Sequence, residues 1–234
     1  MPKRPVVRRR GKGTSVYKVH SFRHLAPLRL PQENNIKAEV IDILHSPGKF
    51  APVAKLRLEN GRVCYVAAVE GMYTGQNIEI SENAEPKKCN ILPLKAIPEG
   101  TEICFIERCF GDGGKFCRSS GAFGILKSKD ENYAYVVLKS RKVKKIPLSS
   151  RAIIGRVAGS GRDAKPIVKA GIKSHIMRAR GRYWPIVSKS KMNPCDHKFG
   201  GSTRPGIPTS APRNAPPGAK VGHIAPKRTG RKKK

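Results

Sequence analysis

Charge is segregated along this chain so sharply that it limits what each part can fold into. Residues 1–32 hold nine Lys/Arg and no carboxylate, residues 33–131 hold thirteen against fourteen Asp/Glu, and residues 132–234 hold twenty-six against two. The centre is therefore near neutral at −1, while the ends carry +9 and +24 of the net +32. Like charge at that density opposes compaction unless a polyanion neutralises it. The centre can build an ordinary core; the ends need nucleic acid, with an anionic membrane surface as the alternative.

The membrane alternative fares poorly. Spanning a bilayer takes a run of about 18 or more apolar residues, and none occurs. The basic ends are full of Gly and Pro and show no amphipathic helical period that would lie on a bilayer. The start, MPKRPVVRRRGKG, lacks the apolar stretch of a secretory signal. The reading is an intracellular chain with no membrane partner. Six cysteines (Cys64, Cys89, Cys104, Cys109, Cys117, Cys195) form no C-x-x-C pair. They read as reduced, apolar thiols rather than zinc ligands; Cys104 and Cys109 fall in one expected strand and point to opposite faces. No metal and no cofactor are expected.

Four segments follow. In residues 1–35 basic side chains alternate with Tyr17, His20, Phe22 and His24, groups that stack on bases or riboses. No hydrophobic period persists, so an extended arm that orders on a partner is expected, the alternative being a loose basic tail. Its RNA-contacting candidates are Arg8, Arg9, Arg10, Lys12, Tyr17, Phe22 and Arg23. Residues 36–92 suit an OB-like β-barrel. IKAEVIDILH, VAKLRL, RVCYVAAV and QNIEIS read as strands, with Glu59-Asn60-Gly61 as a tight hairpin turn that needs positive φ. A Pro- and Gly-rich loop, 45–52, presents Lys49 beside Phe50, and the Pro-rich run ILPLKAIPEG leads out. Residues 93–170 suit a second, SH3-like barrel with strands in ICFIERC, AFGILK, YAYVVL, KKIPL and AIIGRVA. Its basic insertions, 111–121 and 159–166, supply Lys115, Arg118, Arg162 and Lys165, and Lys169 follows them. Residues 171–234 form a basic tail that takes its shape on RNA. Lys169 to Arg182 allows a short helix. The tail candidates are Arg178, Arg180, Arg182, Trp184, Lys198, Arg204, Arg213, Lys220, Lys227, Arg228 and Arg231. The fold class is mainly β.

Two motifs invite chemistry. GDGGKF resembles a phosphate-cradling loop, but the G-x-x-x-x-G-K-[ST] pattern would put glycine at Cys109 and a hydroxyl at Phe116, so it fails at both ends. The loop can still meet a phosphate through Lys115, Arg118 and backbone N–H groups. Lys191 to Gly206, KMNPCDHKFGGSTRPG, is a rigid, glycine-opened, basic loop whose single carboxylate, Asp196, stands beside His197. Adjacent side chains rarely form the oriented pair that general-base catalysis requires, and no nucleophile or carboxylate cluster accompanies them. An enzyme is not expected; His197 reads as an RNA-contacting or positioning group.

Several long stretches, in order, resemble one family. They are RRRGKG (8–13), HSPGKFAPVA (45–54), GDGGKF.RSSG (111–121), RAIIGRVAGSGR (151–162), KPIVKAG (165–171), WP (184–185), MNP.DH (192–197) and RNAPPGAKVGHIAPKRTGR (213–231). The chain is similar to the universal large-subunit ribosomal protein L-two family, called L-eight in eukaryotes. The short start and the RNAPPG and KRTGR segments look archaeal-type, a cytosolic eukaryotic source being the alternative. The resemblance implies an OB-like barrel followed by an SH3-like barrel docked on large-subunit ribosomal RNA. It implies neighbouring ribosomal proteins and the small subunit as partners, no homo-oligomer, and a cytoplasmic place in the ribosome. It further implies support of subunit association, tRNA binding and the peptidyl transferase region. The family's supporting loop falls on Asn193, Asp196, His197, Gly200 and Gly201. Lys198 and Ser202 stand where the family usually has Pro and Gly, and SKSK precedes Met192 in place of an Arg-Gly-Val-Ala-like run. A free translation factor or RNA chaperone on the same barrels is the competing reading.

Overall fold

The computed structural model describes residues 6–201, 209–216 and 219–227, with the side chains of residues 6–8 set aside. The chain divides into a unit of Ser21–Val168 and a second unit made of residues 1–20 and 169–234.

The Ser21–Val168 unit is a ten-stranded sheet. Its strands are β1 (Ile36–Leu44), β2 (Val53–Leu58), β3 (Val63–Ala67), β4 (Asn77–Ile80), β5 (Ile91–Pro93), β6 (Glu102–Cys104), β7 (Gly124–Lys129), β8 (Tyr133–Leu138), β9 (Val143–Pro147) and β10 (Arg151–Ile154). The order is β3-β2-β1-β4-β5-β10-β6-β7-β8-β9, antiparallel throughout except for a single parallel pair, Ile80 with Ile91, between β4 and β5. The two outer halves are meanders: β2 and β3 pair Val53 with Ala67, and β7, β8 and β9 follow one another. The chain is thus mainly β.

Two hydrophobic cores flank the middle strands, and alternation along those strands divides residues between them. Ile91, Cys104 and Ile153 enter the first core, with Val40, Leu56 and Ile78. Leu92, Ile103, Ala152 and Ile154 enter the second, with Leu126, Val136 and Ile146. Successive strand residues point to opposite faces, so β5, β6 and β10 form a wall apolar on both sides. The two barrel-like halves expected from sequence therefore share one continuous sheet. Residues 21–35, assigned to the arm on sequence, contribute Leu28 and Leu30 to the first core.

Local chemistry accounts for the turns. Gly61 takes φ +77°, whereas the only non-glycine residues at positive φ among those described are Asn35, Cys89, Phe105, Cys117, Arg141 and Ala225. Asn60 is not among them; its side-chain oxygen instead accepts the Arg62 N–H at 3.0 Å. The hairpin loop is thus Glu59-Asn60-Gly61, the three residues read from sequence, with the positive φ carried by the glycine alone.

In the second unit, α1 (Val6–Lys12) and α2 (Ala170–Ala179) are helical, and β11 (Ser210–Ala211) pairs in parallel with β12 (His223–Ile224). A helix at 6–12 differs from the extended arm expected of that segment, and α2 falls where a short helix was allowed. Gly181, at φ +59°, ends α2. Its N–H donates to the Arg178 carbonyl at 3.2 Å and the Arg182 N–H to the Met177 carbonyl at 2.9 Å, the bonding of a Schellman cap. Arg178 also lies in the last turn, where a cation suits the helix dipole.

Candidate nucleic-acid interface

The second unit concentrates the charge. Seven Lys/Arg in residues 1–20 and seventeen in 169–234 face a single carboxylate, Asp196. Tyr17 stacks on Tyr183 with ring centroids 6.3 Å apart, and the Arg9 guanidinium lies 6.0 Å from the Tyr183 ring. Arg10 and Lys12 are exposed on α1; Arg178 and Arg182 are exposed, and Trp184 is half-buried. Lys173 stands 5.8 Å from the Trp184 ring. Arg180 is half-buried and engaged within the protein. Lys169, Lys198, Arg213 and Lys227 are exposed and Lys220 is half-buried. Arg204, Arg228, Arg231 and the 202–206 end of the glycine-opened loop lie outside the described residues, as does the side chain of Arg8.

The Asp196–His197 loop is folded onto itself. The Asn193 carbonyl accepts the N–H of Asp196 at 3.0 Å and of His197 at 3.2 Å; the Gly200 N–H donates to the His197 carbonyl at 2.9 Å and the Gly201 N–H to the Met192 carbonyl at 2.9 Å. A Cβ on Gly200 would sit 2.2 Å from the Asn193 carbonyl oxygen, so only glycine closes this turn; Gly201 adds φ +99°. His197 is buried at 8% exposure. Its Nδ1 accepts the Phe199 N–H at 3.1 Å, and its ring lies 5.3 Å from that of Phe199. Accepting at Nδ1 puts the proton of the neutral ring on Nε2. Burial, aided by the Lys189 charge, lowers the His197 pKa below its ordinary value. Protonation at Nδ1 would also break the bond from Phe199. A histidine with depressed folded pKa contributes stability above its unfolded pKa of about 6.5 that is lost as pH falls through the folded value. A proton NMR titration should therefore place the His197 midpoint below about 6.5. A midpoint at or above that value would contradict the burial argument.

Candidates in the Ser21–Val168 unit divide by what they already bond. Lys49 donates from Nζ to the Ala26 carbonyl at 2.7 Å, and Arg118 to the Leu28 carbonyl at 2.7 Å while stacking 5.0 Å from the Phe105 ring. Burial lowers both pKa values, with neighbouring Arg118 adding to the effect on Lys49 and Arg29 to that on Arg118. These two cations clamp the 26–30 segment to the sheet. The glycine loop is similarly committed. The Gly113 N–H donates to Glu107 at 3.2 Å and the Gly114 N–H to Asp112 at 2.9 Å, and a Cβ on Gly114 would meet Phe105 at 2.6 Å. The Gly113 and Gly114 N–H groups and one terminal nitrogen of Arg118 thus bond within the protein, while Lys115 is exposed. Phe22 is 76% exposed beneath Arg23, 5.5 Å from its ring. Arg162 packs 3.6 Å from the Phe50 ring and pairs with Asp163; Lys165 is exposed. Cys104, buried with Cys89 and Cys117 as electrostatic neighbours, has its thiol pKa raised by burial, and Cys117 is pushed up to about 11, as fits inert core thiols. Cys109 and Cys195 are exposed free thiols.

A β body of net charge +9 carried on one chain with an aromatic-bearing unit of net charge +23 defines a protein that lies against a polyanion. Residues 6–80 match the family model described as Ribosomal Proteins L2, RNA binding N-terminal domain, and residues 87–221 that described as Ribosomal Proteins L2, C-terminal domain. The chain is 44% identical to the large ribosomal subunit protein uL2 of Hyperthermus butylicus and 45% identical to that of Desulfurococcus amylolyticus, each over all of both chains. It is 47% identical to the protein of the same name from Haloarcula marismortui, with 95% of each chain covered. The chain belongs to the ribosomal protein L2 family, in its archaeal type.

Sequence reasoning did not find Tyr183, Phe199, Lys18 or Lys189. Tyr183 next to Trp184 was a usable signal, but its partner Tyr17 lies at the far end of the chain.

Proposed function

We infer that the chain is a structural constituent of the large ribosomal subunit that binds large-subunit ribosomal RNA. The observation that carries this reading is its end-to-end kinship with relatives named as large-subunit proteins. The charge of the second unit supports it, because a region with one carboxylate among so many cations gains most from phosphate neutralisation. Exposed Lys/Arg position the chain on the RNA backbone and glycines let the backbone approach. Neighbouring ribosomal proteins and, across the subunit interface, the small subunit complete its partners; it works in the cytoplasm as one copy per particle and does not self-associate.

The chain supports subunit association and tRNA binding, and its 191–206 loop supports the peptidyl transferase region, with the chemistry left to RNA. The self-bonded His197 supports that division of labour, since a ring held at Nδ1 by its own loop shapes backbone rather than moving a substrate proton. His197→Ala should leave bulk RNA binding and incorporation into particles nearly unchanged. Its effect should fall on peptide-bond formation or subunit joining. Equal loss of incorporation would contradict that separation.

Sedimentation of a lysate through a sucrose gradient after a moderate-salt wash tests the assignment. The expected result is one copy per large subunit; mostly free protein would favour a cycling RNA factor.

A further inference from the structure

A cavity of about 320 Å³ opens inside the second unit, lined by Ser15, Val16, Lys18, His20, Ser174, Arg178, Arg182 and Trp184. That volume lies in the roughly 300–1,000 Å³ range of small-ligand sites. No carboxylate lines it. Lys18, Arg178 and Arg182 make no ion pair among the described residues. The cavity is built by backbone geometry. Glycine at 181 lets the Lys18–Val19 peptide come within reach of the α2 cap, where a Cβ would meet the Lys18 carbonyl carbon at 2.7 Å. The Schellman reversal then carries Arg182 and Trp184 back beside Arg178.

One wall is thus aromatic, three cations surround it, and two serine hydroxyls can donate or accept. Each feature suits one part of a single nucleotide: the indole face a base, the cations its phosphate, and the hydroxyls a base edge or a ribose 2′-OH. An acidic peptide would use the cations but leave the indole face without a planar partner. We propose that this pocket takes one unpaired, unstacked ribonucleotide, so that the chain reads a bulge or loop in its RNA rather than duplex backbone alone. The proposal rests on the RNA-binding reading above and assigns it a subsite.

Trp184 is the only tryptophan, so intrinsic fluorescence reports on this pocket directly. The full chain would be titrated, in moderate salt, with an RNA duplex carrying one bulged adenosine and with the same duplex fully paired. Base–aromatic stacking is sequence-tolerant, so an arbitrary bulge serves as the probe. The bulged RNA should quench Trp184 and bind roughly tenfold more tightly than the paired one, as one base–aromatic stack allows. Trp184→Ala should abolish that preference and Trp184→Phe, which keeps a stacking face, should retain most of it. Equal binding of the two RNAs without quenching would overturn the pocket assignment while leaving RNA binding intact. Failure of both RNAs to bind would overturn the RNA-binding reading itself. Quenching by an acidic peptide in place of the bulged RNA would assign the pocket to a protein partner and also overturn the proposal.

Discussion

Replacing Glu107 with alanine should destabilise the β body by about 3–5 kcal/mol, the cost of stranding one member of a buried ion pair. Glu107 is fully buried and Arg151 is 3% exposed. The carboxylate accepts the Arg151 guanidinium through Nε at 3.2 Å and a terminal nitrogen at 3.0 Å, and also takes the Arg151 and Gly113 backbone N–H groups at 3.0 and 3.2 Å. The other guanidinium nitrogen donates to the Glu33 carbonyl at 3.2 Å and the Asn34 side-chain oxygen at 3.0 Å, and the Phe110 ring lies 5.0 Å away. One pair thereby joins the 33–34 segment, the 107–113 loop and β10, three pieces far apart in sequence. Truncation leaves a buried cation and two buried N–H donors with no acceptor, each of which carries a desolvation penalty. For a domain of this size the fall in Tm should be roughly 6–20 °C by differential scanning calorimetry. The double variant Glu107→Met/Arg151→Met should recover much of the loss, because apolar replacement of a whole buried pair is often close to neutral. A single alanine variant within about 1 kcal/mol of the parent would mean that Arg151 reaches water by relaxation, and the pair would then not hold these segments together.

The same pair illustrates what sequence could and could not reveal. Strands β1 to β4 and β7 to β9 were legible, because hairpin turns and half-buried alternation mark them locally. Of the middle strands, β6 and β10 were read from ICFIERC and AIIGRVA, but β5 was not, nor was the wall that the three form together. ILPL, ICFI and AIIG have both faces buried, so their period vanishes into apolar runs, and Pro93 made β5 look like an exit loop. Pro93 is tolerated at the end of that short strand, where it faces Arg151 across the ladder. Hence two barrels were visible but not the wall between them.

The candidate site shows a parallel limit. That the ends are polycations and that residues 191–201 form a glycine-closed turn could be read from residue types alone. Which cations remain available to RNA could not. Lys49 and Lys165 look alike in sequence, yet one ammonium is fixed on the Ala26 carbonyl and the other is exposed. Glu107 and Asp112 stood beside the GDGGK glycines all along, but only the folded loop aims them at its N–H groups. His197 was likewise recognised as a candidate while its burial was not. That burial comes with the Phe199 ring 5.3 Å from the imidazole, and Gly222, from chain returning beyond the loop, comes up against that ring, where a Cβ would lie 3.4 Å from it.

This division of the cations sets the largest expected effect in solution. Affinity for a large-subunit ribosomal RNA fragment should fall about 10³- to 10⁵-fold between roughly 50 and 200 mM salt if some 6–10 phosphates are neutralised. The slope counts only charges that displace counterions from RNA. A cation already held by a protein acceptor and partly desolvated, such as Lys49 or Arg118, has little left to offer a phosphate. Exposed cations without such partners, such as Lys165, Lys169 and Lys198, have their full charge available. Lys165→Gln, Lys169→Gln and Lys198→Gln should each reduce the log–log salt slope by about 0.9 where the contact is to duplex and about 0.7 where it is to single strand. Lys49→Met should leave the slope unchanged and act on stability, by releasing the Ala26 carbonyl. Filter binding across a salt series separates the two groups. Equal loss of slope for Lys49 and for the exposed lysines would mean that RNA pulls Lys49 off its carbonyl, and the clamp assigned to it would then be a feature of the free protein only.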